Sequence, residues 1–249
     1  MSGHSKWSTI KRKKAATDAK RAKIWTRVIR EITVAARAGG DPEANPRLRA
    51  ALLTAKATNM PKDTVDKAIK RGTGDLEGAV YEEITYEGYG PGGVAILVET
   101  QTDNKNRTAA EVRHVFTKYG GKLGSTGCVS YLFERKGLIT VPLADAEAES
   151  VMDAAIEAGA EDVETTEATV EITTTMEDLH AVAASLTGAG LTLERTELVL
   201  EPTTTVKVAD EGEARGLLRL IDYLDDLDDV SSVSANFDID DAVLAQLDS

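Results

Sequence analysis

The sequence predicts an α+β protein: an N-terminal helical bundle followed by two ferredoxin-like βαββαβ domains, one inserted in the other. Apolar residues recur at helical spacing in the first part of the chain, and short β-branched segments alternate with helical patterns in the rest. A glycine-rich stretch separates the two textures. The predicted boundaries are a basic helical domain at 1–78, an α/β domain at 79–134 plus 202–249, and an inserted α/β domain at 135–201.

The helical domain is predicted from apolar stripes and end signals. Residues 24–38 carry an apolar side chain at every third or fourth position and end at Gly39-Gly40, which is typical of a C-terminal cap. A second helix begins at Asn45, a good N-cap, with Pro46 in its first turn. A third helix covers 62–71. The short connections between these helices favour an antiparallel bundle.

After the linker at 72–78 the pattern changes to strands and helices in alternation. Strands are predicted near 84 and 163 and at 94–100, 129–133, 138–141, 169–175, 191–200, 206–208 and 230–237; helices are predicted at 108–119, 145–158, 177–186 and 211–224. This order can be read as one βαββαβ unit from about 137 to 201, inside another that pauses after Phe133 and resumes near Thr203. Three domains in series are the competing arrangement.

The charge of the chain is divided between its two parts. The net charge is −13, which by itself argues against a nucleic-acid partner. Residues 1–72, however, contain 18 Lys and Arg against 6 Asp and Glu, a net charge of +12, whereas the remaining residues contain 11 against 36, a net charge of −25. This asymmetry indicates a nucleic-acid-facing part joined to an acidic body.

Basic residues are densest before residue 31. Residues 1–23, which we call the basic arm, are expected to be flexible and to lead into the first helix, which carries the remaining basic residues of this region. Cations near phosphates release condensed counterions, which favours binding at low salt. We expect phosphate contacts from Lys6, Lys11, Arg12, Lys13, Lys14, Lys20, Lys23, Arg27 and Arg30. A solvated helix face is the alternative. Trp25 is expected in the core and Trp7 is expected to anchor the arm, although either could stack on a base.

Several other function classes are disfavoured. The single cysteine, Cys128, excludes an internal disulfide framework, fits a reducing compartment such as the cytoplasm, and is expected in a strand rather than as a nucleophile. No apolar run approaches the ~18–20 residues that cross a membrane. The N-terminus lacks the apolar segment of a secretory signal, although a basic mitochondrial presequence stays an alternative. His4, His114 and His180 share no metal-ligand spacing, and we predict no metal, cofactor or catalytic residue.

Two glycine-rich segments resemble phosphate-binding loops at first sight. Gly88–Gly93 is followed by a strand rather than by a helix, so a turn between two strands is predicted, with a protruding functional loop as the alternative. Gly121–Gly127 lacks the final Gly-Lys-Ser/Thr of a nucleotide-triphosphatase loop. Neither segment therefore predicts a nucleotide site.

Two polar segments have open interpretations. One precedes a helix that Asp103 or Asn106 could cap, and Lys105 and Arg107 are secondary candidates for nucleic-acid contact at its N-terminus. The other, Asp222–Asp229, lacks the spacing of a calcium loop and is predicted to be a solvated helix end and turn. A further hypothesis is that this acidic surface attracts the basic arm when no nucleic acid is bound.

Several motifs resemble those of a known family at the family's spacing. They are Met1–Trp7 (MSGHSKW), Tyr86–Val94 (YEGYGPGGV), Thr102–Thr108 (TDNKNRT) and Gly120–Gly124 (GGKLG) leading into Val129. Together they resemble the YebC/PmpR family over nearly the whole chain. The resemblance implies three domains: a helical one at the N-terminus and two α/β domains, one inserted in the other.

The resemblance also implies a function. The family is described as transcriptional regulators that bind DNA, and it is also linked to translation through a mitochondrial translational activator and through bacterial relatives connected to stalled ribosomes. We therefore expect a non-enzymatic, cytoplasmic, DNA-binding regulator of transcription. A ribosome-associated translation factor that binds rRNA and relieves stalling is the alternative, and an enzyme is the third class. No membrane and no small-molecule substrate are expected. Since no base-reading helix is evident, specificity is expected from nucleic-acid shape or ribosomal context.

Overall fold

The computed structural model describes residues 18–144, 146–166, 168–240 and 243, with side chains from residue 22 onwards. In chain order its elements are α1 (Asp18–Ala35), α2 (Pro46–Ala57), α3 (Lys62–Thr73), β1 (Glu82–Tyr89), β2 (Ala95–Thr102), α4 (Lys105–Lys118), β3 (Lys122–Leu123), β4 (Phe133–Pro142), α5 (Ala148–Ala158), β5 (Asp162–Thr165), β6 (Thr169–Thr174), α6 (Leu179–Gly188), β7 (Arg195–Pro202), β8 (Val206–Val208), α7 (Glu211–Asp225), β9 (Val230–Ala235) and β10 (Phe237–Ile239). The fold is mixed α+β. Residues 133–203 form one compact unit, and the residues before and after them form a second.

Helices α1, α2 and α3 pack around a small apolar core, as their sequence patterns predict. Ile32, Leu48 and Ala68, one from each helix, are fully buried in it. Asn45 is the N-cap of α2, because its side-chain oxygen accepts a hydrogen bond from the amide of Leu48 at 3.1 Å. Trp25 packs against the same core and its Nε1 donates to a carbonyl oxygen at the end of α2, so its predicted core position is confirmed.

Helix α3 continues two residues past its predicted end, into the segment predicted as a linker. Gly72 lies where α3 passes close to α1. A Cβ at this position would stand 2.4 Å from the carbonyl oxygen of Thr33 and 2.6 Å from the Cβ of Ala36. Glycine is therefore required here by the short distance between the two helices.

The rest of this unit is built on a four-stranded antiparallel sheet in the order β3-β1-β2-β9, with β8 and β10 as a separate parallel pair. Helices α4 and α7 pack against this sheet. The core between them contains Ile96, Val98, Phe116 and Leu220, all fully buried. None of the described helices combines the length and the apolar character needed to cross a membrane.

The ferredoxin-like arrangement predicted for this outer unit is not confirmed, because β8 lies outside the four-stranded sheet and pairs in parallel with β10. Strands β1 and β2 follow one another directly as an antiparallel hairpin, with no helix between them. Pro91, Gly92 and Gly93 close the hairpin, and the two glycines have φ values of 73° and 75°, a conformation that favours glycine. The turn between two strands predicted at Gly88–Gly93 is thereby confirmed.

The strand predicted at 129–133 is also absent. Ser130–Leu132 form a 3₁₀ turn, and β4 runs without interruption from Phe133 to Pro142. The cause lies in Glu87, whose carboxylate accepts hydrogen bonds from the amides of Gly127, Val129 and Ser130 at 2.7, 2.7 and 2.8 Å. Amides bonded to this side chain cannot pair with a neighbouring strand.

Residues 133–203 form a four-stranded antiparallel sheet with two helices packed against it. The elements follow one another as β4, α5, β5, β6, α6 and β7, and the strands lie in the order β5-β6-β4-β7. Ile139, Ile172 and Leu186 are fully buried in its core. The first and last strands pair with each other, Phe133 lying opposite Pro202, so the chain enters and leaves this unit at neighbouring positions.

Candidate nucleic-acid interface

The predicted phosphate contacts divide into those outside the described residues and those within α1. Outside the described residues lie Lys6, Lys11, Arg12, Lys13 and Lys14, together with Trp7 of the arm. Lys20 belongs to α1, but its side chain is not among those described. Lys23, Arg27 and Arg30 are spaced by four and three residues, which places them on one side of the helix.

Lys23 and Arg27 face an acidic turn, which we define as residues 225–229 at the end of α7. Lys23 Nζ lies 2.9 Å from Oδ1 of Asp226 and donates to the carbonyl oxygen of Asp225 at 2.6 Å. Arg27 Nη2 lies 3.3 Å from Oδ1 of Asp225 and also donates to the carbonyl oxygen of that residue. These two cations are thus held by oxygens of their own chain.

Arg30 reaches deepest into the same contact. Its guanidinium donates to the carbonyl oxygen of Asp228, lies 3.0 Å from Oδ1 of Asp229, and stands 5.4 Å from the ring centre of Tyr81. The side chains of Arg30 and Asp229 are only 13% and 2% exposed. Separating a buried ion pair leaves an uncompensated charge, so Arg30 joins α1 firmly to the segment that leads into β9.

Asp229 is the centre of a buried polar network. Its Oδ2 accepts hydrogen bonds from Thr108 at 2.6 Å, Arg107 at 2.8 Å and Thr102 at 3.1 Å. Burial alone would raise the pKa of this carboxyl, but the hydrogen bonds from Thr108 and Arg107 and the charge of Arg30 outweigh burial and lower the pKa. Its Oδ1 forms the ion pair with Arg30 and accepts no hydrogen bond from the described residues.

The prediction that Asp222–Asp229 is a solvated helix end and turn is right for Asp226 and Asp228, which are exposed, and wrong for other residues of the run. Asp226 is 75% exposed, whereas the side chains of Asp225 and Asp229 are largely buried. A run of aspartates carries no apolar periodicity, so the sequence does not indicate which member turns inward. The buried role of Asp229 was therefore missed.

Helix α4 begins at a different cap from the one predicted. The N-cap is Asn104, and neither Asp103 nor Asn106 takes this role. The Asn104 side-chain oxygen accepts a hydrogen bond from the backbone amide of Arg107 at 3.1 Å, and the backbone amide of Asn104 donates to Oγ1 of Thr102 at 2.9 Å. Asp103, Asn104 and Asn106 all have side chains that can cap a helix. Which of them caps α4 is decided by the position at which β2 ends.

Both secondary cations at the start of α4 have carboxylate partners. Lys105 Nζ lies 2.9 Å from the carboxylate of Glu82, and both side chains are exposed. Arg107 lies 2.8 Å from Asp103 and 2.8 Å from Asp229, and hydrogen bonds to Asp229 and then Asp103 raise its pKa further above its ordinary value. The exposed Lys105 pair can exchange partners at little energetic cost, whereas Arg107 belongs to the Asp229 network.

The end of the second glycine-rich segment, with the residues that follow it, directs three backbone amides at a carboxylate of the protein itself. Glu87 is buried beneath it and binds the amides of Gly127, Val129 and Ser130. Burial would raise the pKa of Glu87, but these amide hydrogen bonds outweigh burial and lower the pKa. A carboxylate of the protein thus occupies the donors that a phosphate would need.

Cys128 lies in this loop and not in a strand as predicted. Burial raises the pKa of its thiol, which disfavours the reactive thiolate. Among the described residues, no three His, Cys, Asp or Glu side chains lie close enough together to hold a metal ion.

Comparison with known proteins decides the family. Residues 5–75 match the TACO1/YebC protein N-terminal domain, and residues 81–237 match the TACO1/YebC second and third domain. The chain belongs to the TACO1/YebC family. The resemblance of the sequence motifs to this family is thereby confirmed.

Relatives of this TACO1/YebC chain are similar over their full length. A "probable transcriptional regulatory protein" from Acidithiobacillus ferrooxidans is 59% identical over 249 residues, covering 100% of this chain and 99% of that protein. A protein so named from Desulfotalea psychrophila is 56% identical over 248 residues and covers 99% of both chains. The crystal structure of a conserved hypothetical protein from Aquifex aeolicus is 50% identical, covers 90% of this chain and 93% of that chain, and has a TM-score of 0.86.

The TACO1/YebC chain also carries an exposed aromatic and basic group of side chains that no sequence motif indicates. We call Lys118, Tyr119, Arg219 and Tyr223 the tyrosine cluster. The rings of Tyr119 and Tyr223 stack with centres 4.5 Å apart and planes at 18°. Lys118 Nζ stands 5.2 and 5.5 Å from the two ring centres. Because the two tyrosines lie on different helices, α7 and the C-terminal cap of α4, only the folded chain brings them together.

Proposed function

We propose that this TACO1/YebC chain is a non-enzymatic regulator of gene expression that binds DNA and acts in transcription in the cytoplasm. Relatives named as probable transcriptional regulatory proteins support the regulatory role. The observation that carries the nucleic-acid partner is the division of charge, +12 over residues 1–72 and −25 over the rest. The single cysteine supports a reducing compartment.

We propose direct phosphate contacts from the arm and from the first part of α1. These contacts are Lys6, Lys11, Arg12, Lys13, Lys14, Lys20 and Lys23. The pair between Lys23 and the exposed Asp226 supports this assignment, because exposed ion pairs are worth only about 0–1 kcal/mol and a phosphate can take the place of the carboxylate. Arg27 joins the contact surface when Asp225 releases it, and the exposed Lys105 supplies a secondary contact. Arg30 and Arg107, which were also expected to meet phosphate, are held by the buried Asp229 and position this surface from behind.

We assign no catalytic residue, cofactor or small-molecule substrate to this chain. Glu87 and Asp229 are two buried carboxylates that serve as hydrogen-bond acceptors for the protein's own groups. Glu87 binds three backbone amides of one loop, and Asp229 binds Thr102, Arg107 and Thr108. Lowered pKa values in both groups keep them ionised as hydrogen-bond acceptors, which suits structural support.

A second candidate function is that of a ribosome-associated translation factor that binds rRNA. The tyrosine cluster favours this candidate, because exposed aromatic rings stack on the unpaired bases that RNA loops offer. The two candidate functions therefore require the chain to prefer different nucleic acids, duplex DNA in one case and rRNA in the other. Binding measurements on both can separate them.

The experiment compares wild type with two charge-reversed variants of equal net charge. One reverses the arm: Lys11→Glu, Arg12→Glu, Lys13→Glu and Lys14→Glu. The matched control reverses four exposed lysines of α2 and α3: Lys56→Glu, Lys62→Glu, Lys67→Glu and Lys70→Glu. Each protein is titrated against promoter-length duplex DNA over a range of salt concentrations, and is sedimented with ribosomes from lysate treated with DNase or with RNase.

We expect the arm variant to lose binding and the control to keep it. If about five phosphates of a duplex are contacted, log K falls with log salt at a slope of roughly −4 to −5. A flat salt response, or equal loss in both variants, would overturn the arm as the binding element. Ribosome association that survives DNase and requires the arm would favour translation, whereas retention on duplex DNA against excess competitor would favour transcription.

A further inference from the structure

The tyrosine cluster is exposed and is not used by the proposed phosphate contacts of the arm. Tyr119 stacks against Tyr223, yet Tyr223 is 48% exposed. The surface of this ring beyond the stack is therefore open to solvent. An exposed ring of this kind contributes little to the protein core and is available to a ligand with a flat aromatic surface.

Two cations beside the rings make the cluster basic within an acidic body. Lys118 stands over both rings, and Arg219 lies one turn before Tyr223 on the exposed side of α7. In the part of the chain that the structure describes, neither cation forms an ion pair with a carboxylate, whereas Arg215 of the same helix is paired with Glu211 at 2.7 Å. Their charge is thus available to an anionic partner.

The two positive charges act directly on the tyrosine hydroxyl. The pKa of Tyr223 is raised chiefly by its hydrogen bond with Tyr119, while Lys118 and Arg219 act in the opposite direction. This opposition places both cations within electrostatic reach of the ring. Aromatic surface and positive charge therefore occur side by side.

We propose that the tyrosine cluster is a stacking site for an unpaired base of a single-stranded nucleic acid. The base continues the Tyr119–Tyr223 stack on the open side of Tyr223, and Lys118 and Arg219 meet the phosphates on either side of that base. Such stacking accepts any base, because every base has a π face. A duplex cannot use the site in this way, since its bases are already stacked on one another.

This inference rests on the proposed function and narrows it, because it requires the bound nucleic acid to contain an unpaired stretch. An RNA loop and a melted DNA strand share this chemistry. The proposed contacts of the arm are cations that meet phosphates of any strand, whereas the tyrosine cluster adds aromatic rings that accept an unpaired base. The two elements are therefore expected to respond differently to single and double strands.

The test measures the affinity of the full chain for a labelled 15-nucleotide oligo-U RNA, the matching oligo-dT DNA and a 15-base-pair duplex by fluorescence anisotropy. The variants are Tyr223→Ala, which removes the ring, and Tyr223→Phe, which keeps it. The matched control is Tyr131→Ala, since Tyr131 is 72% exposed and lies outside the cluster. Oligomers carrying 2-aminopurine report stacking directly, because its fluorescence is quenched when the base stacks. A thermal melt of each variant checks that it is folded.

Loss of a stacking aromatic is expected to weaken single-strand binding roughly 5- to 150-fold, and to abolish quenching. Tyr223→Phe and Tyr131→Ala should bind within twofold of wild type, and the duplex should bind all variants alike. A second variant, Lys118→Gln with Arg219→Gln, leaves both rings in place. It should make the salt slope on single strands shallower by about 1.4, since each phosphate contact contributes about 0.7.

Unchanged single-strand affinity and quenching in Tyr223→Ala would overturn the inference, as would an equal loss in Tyr131→Ala. That result is distinguishable from failure of the proposed function, in which the arm variant binds every nucleic acid as wild type does. Equal loss on RNA and DNA strands would support a site for any single strand, and loss on RNA alone would support an RNA site.

Discussion

Neutralising the acidic turn is expected to tighten nucleic-acid binding. In the double variant Asp225→Asn, Asp226→Asn the backbone oxygens that accept from Lys23 and Arg27 are retained. Two negative charges at 2.9 and 3.3 Å from those cations are removed. Asp229 is left unchanged because it is buried in its own network. If phosphate and carboxylate compete for the same cations, removing the carboxylates favours phosphate.

The size of the effect follows from the exposure of the two ion pairs. Asp226 is mostly exposed, and such pairs contribute about 0.2–1 kcal/mol. Arg27 and Asp225 are more buried, so their pair is placed at the upper end of that range, about 1 kcal/mol. A ligand that must break both pairs loses about 1–2 kcal/mol, so the variant should bind roughly 5- to 30-fold more tightly.

The assay is a titration of a labelled duplex by fluorescence anisotropy at low and at high salt. The matched control, Asp153→Asn with Glu157→Gln, removes two exposed negative charges from α5, so both variants have the same net charge. The gain should be largest at low salt and should shrink at high salt, because the Debye length falls from about 10 Å at 0.1 M to about 3 Å at 1 M.

Equal tightening in the control would mean that net charge alone sets the affinity. No tightening of the acidic-turn variant at either salt concentration would refute the competition. Lys23 and Arg27 would then serve only to hold α1 against the turn.

Three further predictions test the contacts that support the site. Asp229→Asn should lower the free energy of unfolding in urea by about 3–5 kcal/mol, because Arg30 and Arg107 lose a buried counter-charge; a loss under 1 kcal/mol would contradict the network. Both Asp229 and Glu87 have lowered pKa values in the folded chain, so their stabilisation is complete above the unfolded values of about 4 and is lost as the pH falls through the folded values. Urea titrations between pH 6 and 3 should therefore show a shallower decline for Asp229→Asn than for wild type, and parallel curves would speak against this role. Gly72→Ala should lower the melting temperature and destabilise by about 1–3 kcal/mol, because the new methyl group has no room between α3 and α1; a higher melting temperature would show that the helices can separate without loss.

Local signals in the sequence located most helices and strands. Asn45 and Pro46 begin α2 as predicted, because a cap and a first-turn proline act within a few residues of the chain. The turn at Gly92 and Gly93 was predictable for the same reason, since a positive φ favours glycine at that residue alone. Such features depend on neighbours along the chain and need no knowledge of the fold.

Features that depend on distant residues were not predictable. The strand arrangement of the outer unit was not predictable, because the sequence marks strands without stating which of them pair. Asp229 is buried only because Thr102, Arg107 and Thr108 come from another part of the chain to bind it. The cations of α1 were recognised as a set, but their partners in the acidic turn lie about 200 residues away.

The pairing of Phe133 with Pro202 has a consequence for the history of the chain. Opposed residues of an antiparallel ladder have Cα atoms only about 4.5–5.5 Å apart, so a connection of a few residues could span the gap if everything between them were removed. Insertions between such close ends leave the host path nearly undisturbed. A single recombination event in the gene could thus add, remove or exchange the segment between residues 133 and 202. This segment and the rest of the chain could then change in sequence at different rates.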